Sequence, residues 1–184
     1  MVLFKLILSL GLILAMTVDA IPTPGNNPHS NELPGCGEVN VILTGLPPYH
    51  PLVIAQGHDP NGTDASLRES AAMAIEAGYN VRFSFMGPEK PLSLLEDRME
   101  GIDWAGTGVG MGIRGSGIPE LVVRLEDIIQ TYRDVTPDAF IYFNYMPNTT
   151  LWAIQRRFPL SSNCTDSPGK DLVGLDPDFL VMTS

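Results

Sequence analysis

The side chains best suited to chemistry in this sequence are two histidines, a loop glutamate, and an arginine set in a run of glycines. His50 and His58 lie in "LPPYHPLVIAQGHDPNG" (46–62), with Tyr49 and Asp59 beside them. Two histidines and a carboxylate can ligate a metal or exchange protons as acid and base. Their separation matches no compact metal motif and the core holds no further histidine, so no metal is expected. The connection is also longer than an ordinary strand-to-helix loop, which suits a lid. Glu89, after Gly87-Pro88, is a candidate general acid, with a solvated loop carboxylate as the plainer reading.

The glycine run is "GTGVGMGIRGSG" (106–117), in which Gly110, Gly112 and Gly115 spell G-x-G-x-x-G. A dinucleotide fingerprint follows the first strand, opens a helix directly and is answered by an acidic residue at the next strand's end. Here the glycines follow the third strand, Ile118-Pro119 precedes the helix, and the next strand ends in Asn144. No cofactor is therefore expected. Exposed amides of such a loop can still hold an anion, with Arg114 as a bidentate fork. Gly108, Gly110, Gly112, Arg114 and Asn144 form that candidate site. The competing reading is a loop whose glycines serve positive φ and close packing, with Arg114 paired to a surface carboxylate. No G-x-S-x-G elbow occurs, and paired cysteines would leave no thiol nucleophile. Trp104 and Trp152 read as packing residues rather than stacking platforms.

The elements that must position these groups alternate. "EVNVILTG" (38–45), "NVRFSFMG" (80–87), "IDWAGTGVG" (102–110) and "AFIYFN" (139–144) read as strands. "DASLRESAAMAIEAGY" (64–79), with a capping box from Ser66 to Glu69, "PLSLLEDRME" (91–100), "PELVVRLEDIIQTYRD" (119–134) and "TLWAIQRRF" (150–158) read as helices. In the third of these, Leu121, Leu125, Ile128, Ile129 and Tyr132 form the apolar stripe. The alternation predicts an α/β fold, a three-layer α/β/α sandwich with a four-stranded, mostly parallel sheet of Rossmann or flavodoxin type. Ligands of such sheets bind beyond the carboxyl ends of the strands, where all the candidates above fall.

The ends speak to compartment. Residues 1–20 combine Lys5, a short apolar run and Val18-Asp-Ala20, the pattern of a cleaved signal peptide too short to span a bilayer. A flexible arm (21–37), an α/β domain (38–159) and a surface tail (160–184) should follow. Asn61, Asn148 and Asn163 open three N-glycosylation sequons, and Cys36 and Cys164 are placed to pair in an oxidising compartment. A glycan on Asn148 would crowd a narrow site at the fourth strand's exit. The net charge of −10, without a basic cluster, argues against nucleic acid and against anionic membrane after signal cleavage. A secreted monomer is expected.

The stretches "VGMGIRG", "VRLEDII", "FNYMPNTTLWAIQRRFPL" and "NCTDSPGKDL", across residues 38–170, resemble a family of small secreted proteins of filamentous fungi. The resemblance implies a shared fold and a fungal origin and carries no activity. The expectation is therefore a secreted glycoprotein that binds a small anionic or polar ligand at the strand exits. The alternative is an accessory enzyme of a fungal secondary-metabolite pathway, with the His50/His58 loop as lid or acid–base source.

Overall fold

A computed structural model describes residues 32–172. The expected signal peptide, the arm up to residue 31 and the tail beyond 172 lie outside the described residues. Four strands, β1 (Asn40–Gly45), β2 (Asn80–Phe85), β3 (Gly106–Val109) and β4 (Phe140–Phe143), form one sheet in the order β2-β1-β3-β4. Every pairing is parallel. This is the flavodoxin order through its first four strands, and it confirms the α/β expectation.

Both faces of the sheet are covered because its strands alternate apolar residues to two sides. Val41 and Leu43 of β1 join Val81, Phe83, Phe85 and Tyr142 under α2 (Pro60–Glu76) and α6 (Thr150–Gln155). Ile42 and Val109 face the other way, under α3 (Ser93–Met99) and α5 (Pro119–Val135), with Leu95, Leu121, Ile128 and Tyr132. The buried line of α5 runs Leu121, Arg124, Ile128, Thr131, Tyr132, while Leu125 and Ile129 sit half-buried at its flank. A charged residue thus occupies a core position of the clearest helix.

Three local readings need correction. Helix α2 starts at Pro60, before the expected capping box at Ser66, because Asp59 caps it by accepting from the Gly62 amide at 2.7 Å and Pro60 presets the first turn. The connection after β1 is not a long loop, since it contains α1 (Pro51–Ala55). The third strand is shorter than its expected span of 102–110, and the glycines after it are not a loop, for β3 ends at Val109 and α4 (Met111–Arg114) opens directly after Gly110.

Cys36 and Cys164 form the expected disulfide, with Cα atoms 5.6 Å apart and a sequence separation of 128. The bridge ties the segment before β1 to the one after α6. It packs on Gly78, whose φ of 95° ends α2 and whose missing side chain leaves room for the Cys164 sulfur. Beyond it the chain runs back along β2: the Val81 amide donates to Lys170 O at 2.9 Å and the Leu172 amide to Val81 O at 2.7 Å. One edge of the sheet is covered in this way.

Candidate functional site

Strand β1 has β2 on one side and β3 on the other, so the connections leaving β1 and β3 diverge at their carboxyl ends. That is where an open α/β sheet has its ligand crevice. A cavity of about 60 Å³ lies there. Its walls come from the β1 exit (Gly45, Leu46), the first turns of α2 (Thr63, Leu67), the start of α4 (Gly110, Met111, Gly112) and the β4 exit (Asn144, Met146, Pro147). Phe85 and Val53 close it, the latter from α1, which therefore acts as a roof. His58 stands exposed at the rim. Nearly all of this lining is apolar.

The sequence-predicted anion cradle is arranged differently from its expectation. Gly110, Gly112 and Asn144 reach the crevice, whereas Gly108 lies within β3, with its carbonyl accepting from the Tyr132 hydroxyl at 2.9 Å. The loop amides are partly spent on the protein itself. Gly110 N–H donates to Thr44 O at 2.8 Å, and Met111 N–H to Asn144 Oδ1 at 2.9 Å. Asn144 is a buried hub, for its Nδ2 also donates to Thr150 Oγ1 at 3.1 Å and its carbonyl accepts from Arg114 at 3.2 Å. Arg114 is half-buried, its guanidinium over the Phe143 ring at 5.9 Å, and it is not among the residues lining the crevice.

The glycines do not answer to positive φ either. Among the described residues Gly37, Gly57, Gly78 and Gly101 have it, and none of the run does. A Cβ on Gly106 would lie 2.6 Å from the Phe158 ring, and one on Gly108 2.5 Å from the Tyr142 ring. These two glycines make a flat floor for aromatic rings. Gly112 is of another kind, because a Cβ there meets nothing within 4 Å.

His50 and Glu89, distant in sequence, come together at the exits of β1 and β2. His50 Nδ1 accepts from the Leu52 amide at 3.1 Å, capping α1, so Nε2 carries the proton and donates to Glu89 Oε2 at 3.1 Å. Gly87 is compatible with this pair only as glycine, since a Cβ would overlap both Glu89 Oε2 and His50 Nε2. Burial alone would raise the Glu89 pKa. Its own backbone amide, the hydrogen bond from His50 and the charge of Lys90 outweigh that and hold it below the usual carboxylate range. Asp59 caps α2 rather than orienting His58.

Arg124, which sequence reading passed over, is 6% exposed near the same exits. Its Nη2 donates to Met86 Sδ at 3.1 Å, and its buried Nε has no partner. The signal for it was available: Arg124 stands three residues after Leu121 and four before Ile128, in register with the helix's apolar stripe.

The three sequon asparagines are exposed. Asn61 sits in the first turn of α2 and accepts from the Tyr49 hydroxyl at 3.0 Å, while Asn148 follows directly on crevice residues Met146 and Pro147. Trp104 is buried, as a packing residue should be, but Trp152 is 47% exposed, edge-on to Tyr145 and under Arg156. Among the described residues no cluster of ligating side chains suits a metal, and no helix is long and apolar enough to cross a membrane. Comparison with protein-family models, with characterised proteins and with solved structures finds no match to this chain.

Proposed function

We propose that this protein is an exported binding protein for a small, mainly apolar molecule, held where β1 and β3 diverge. One observation carries the reading: the crevice at the sheet's switch point is walled by Leu46, Val53, Leu67, Phe85, Met111 and Met146. The lining moves the ligand from the anionic class expected from sequence toward an apolar body. Any polar substituent would meet His58 at the rim. Export is supported by the Cys36–Cys164 bridge, the three exposed sequon asparagines and the amino-terminal pattern. An acid–base role for His50 has less support, because both its ring nitrogens already have partners.

Gly112→Leu tests the reading. A Cβ at Gly112 meets no neighbour within 4 Å and Gly112 lines the crevice, so the variant should fold and its side chain should crowd the site. Toluene, followed by chemical-shift changes, should bind the wild-type protein with a dissociation constant on the order of 0.1–1 mM, as the efficiency of small apolar ligands allows. Shifts should centre on Leu46, Leu67 and Met111 and vanish in the variant. Equal toluene binding by the two proteins, or none by the wild type, refutes the assignment.

A further inference from the structure

The surface carries a pair of aromatic side chains that neither the core nor the crevice uses. Tyr145 is 54% exposed and Trp152 47%, and their rings meet edge-on, with centroids 5.2 Å apart and planes at 82°. Arg156 lies over the Trp152 ring at 4.7 Å, and Met146, next to Tyr145 in sequence, is exposed as well. Single exposed apolar residues need no explanation, but rings in contact at the surface mark a place that something covers.

Asn148 lies between these two rings along the chain. Residues 145–149 form one closed turn, in which Thr149 Oγ1 accepts from the Tyr145 amide at 3.1 Å and the Met146 amide at 3.0 Å. The Thr149 amide in turn donates to Met146 O at 3.1 Å. This closure draws Tyr145 back toward the 3-10 turn Pro147–Thr149, which holds Asn148. That turn runs directly into α6, so Asn148 and Trp152, four residues apart, fall on one side of the helical path. Asn148 is exposed and opens the sequon Asn148-Thr149-Thr150. An amide nitrogen open to solvent, with an aromatic ring on either side, is a starting point for a sugar chain.

We propose that Asn148 carries an N-linked glycan whose first N-acetylglucosamine packs on Tyr145, with Trp152 bracing that ring. In the transfer, Asn148 Nδ2 exchanges one hydrogen for a bond to the anomeric carbon of the sugar, and the lipid-linked diphosphate that carried the oligosaccharide departs with the proton. The sequon hydroxyl, on Thr150, is fully buried and accepts from Asn144 Nδ2 at 3.1 Å, so transfer precedes the folding of this segment. The C–H bonds of a pyranose make an apolar, weakly positive face that suits the negative face of a tyrosine ring. Arg156 already takes one side of Trp152, which makes Tyr145 the sugar-facing ring. Neither ring lines the crevice, so a sugar held there lies beside the ligand's entrance instead of in it. The assignment rests on the reading that the chain is exported and is independent of what the crevice binds.

Expression of the full chain in a eukaryotic host that N-glycosylates tests it, as wild type, Asn148→Gln, Tyr145→Ala and the double variant. Both positions are exposed, so every form should fold. Peptide mass mapping of the wild type should find a glycan on Asn148. Asn148→Gln should lower the melting temperature by about 2–5 °C when Tyr145 is present and by less than about 1 °C in the Tyr145→Ala background, the coupling expected of one ring contact in a domain of this size. In proton spectra the first N-acetylglucosamine should be shifted upfield by the ring current and return to ordinary positions in Tyr145→Ala. A chain kept inside the cell and bare at all three sequons overturns this proposal together with the export reading. A secreted chain that is glycosylated elsewhere but bare at Asn148, an equal change in melting temperature in the two backgrounds, or sugar protons indifferent to Tyr145→Ala overturns this proposal alone.

Discussion

Replacing Cys36 and Cys164 together by alanine is expected to lower the stability of the fold by about 2–5 kcal/mol, the usual range for losing a native bridge. The upper end is favoured by the span, because the bridge closes a loop of 128 residues. In the chain-entropy account such a closure is worth about 5 kcal/mol. Alanine is the better replacement than serine, for Cys164 is 2% exposed and a hydroxyl there would need a new partner. For a domain of this size the melting temperature should fall on the order of 10 °C. Native-state hydrogen exchange sharpens the test. The amides of Val81 and Leu172, which join the tail to β2, should lose protection more than that of Gly110 at the crevice. A melting temperature within a degree of wild type would mean that the bridge constrains little.

The glycine run supplies the second large effect, with opposite signs inside one motif. Leu43, Gly108 and Tyr142 share a row across β1, β3 and β4. The Tyr142 ring lies over Gly108, and its hydroxyl donates to Ile42 O at 3.0 Å, on the strand beyond. A valine at 108 would push its Cβ to 2.5 Å from that ring and 2.9 Å from Leu43. Both neighbours are about 1% exposed and have nowhere to go. Overpacking of this kind costs about 1–3 kcal/mol, and the loss of the buried Tyr142 hydrogen bond adds about 1–3 kcal/mol more. Gly112→Ala, four residues on, should instead be neutral or stabilise by up to about 1 kcal/mol, since helix α4 gains a better former and the side chain meets open space. Urea unfolding of the two variants reads both signs. Equal effects would show that the glycines act as a unit, as a ligand-binding turn requires, and not as separate packing positions.

These expectations show how far local pattern reaches in this chain. The periods of the strands and helices are properties of a few consecutive residues, so they were legible: β1, β2, β4 and α5 fall within a residue or two of where alternation and the apolar stripe put them. Helix α1 was not, because its five residues hold no full amphipathic repeat and its cap is a histidine, an unusual capping residue. The start of α2 was overlooked for a related reason. Asp59-Pro60 is a strong start signal, but Gly62 just inside it reads as a turn.

The candidate site divides along the same line. Gly110, Gly112, Asn144 and His58 could be placed at strand exits from order alone, since every parallel strand delivers its carboxyl end to one rim. The pairing of His50 with Glu89 depends on β1 and β2 being neighbours, which their sequence separation does not disclose. The role of Gly108 depends on Tyr142 arriving beside it from β4, and the half-satisfied state of Arg124, with one thioether acceptor and a bare Nε, depends on Met86 arriving above α5 from the end of β2.

Composition and periodicity were therefore enough for the class of fold, the bridge between the cysteines and the rim on which ligands should sit. The chemistry on that rim came from long-range placement. Which charge finds a partner, which glycine lies under a ring and whether a crevice is wet or apolar are set by residues 30 to 100 positions apart, brought together by crossovers whose order no single segment encodes.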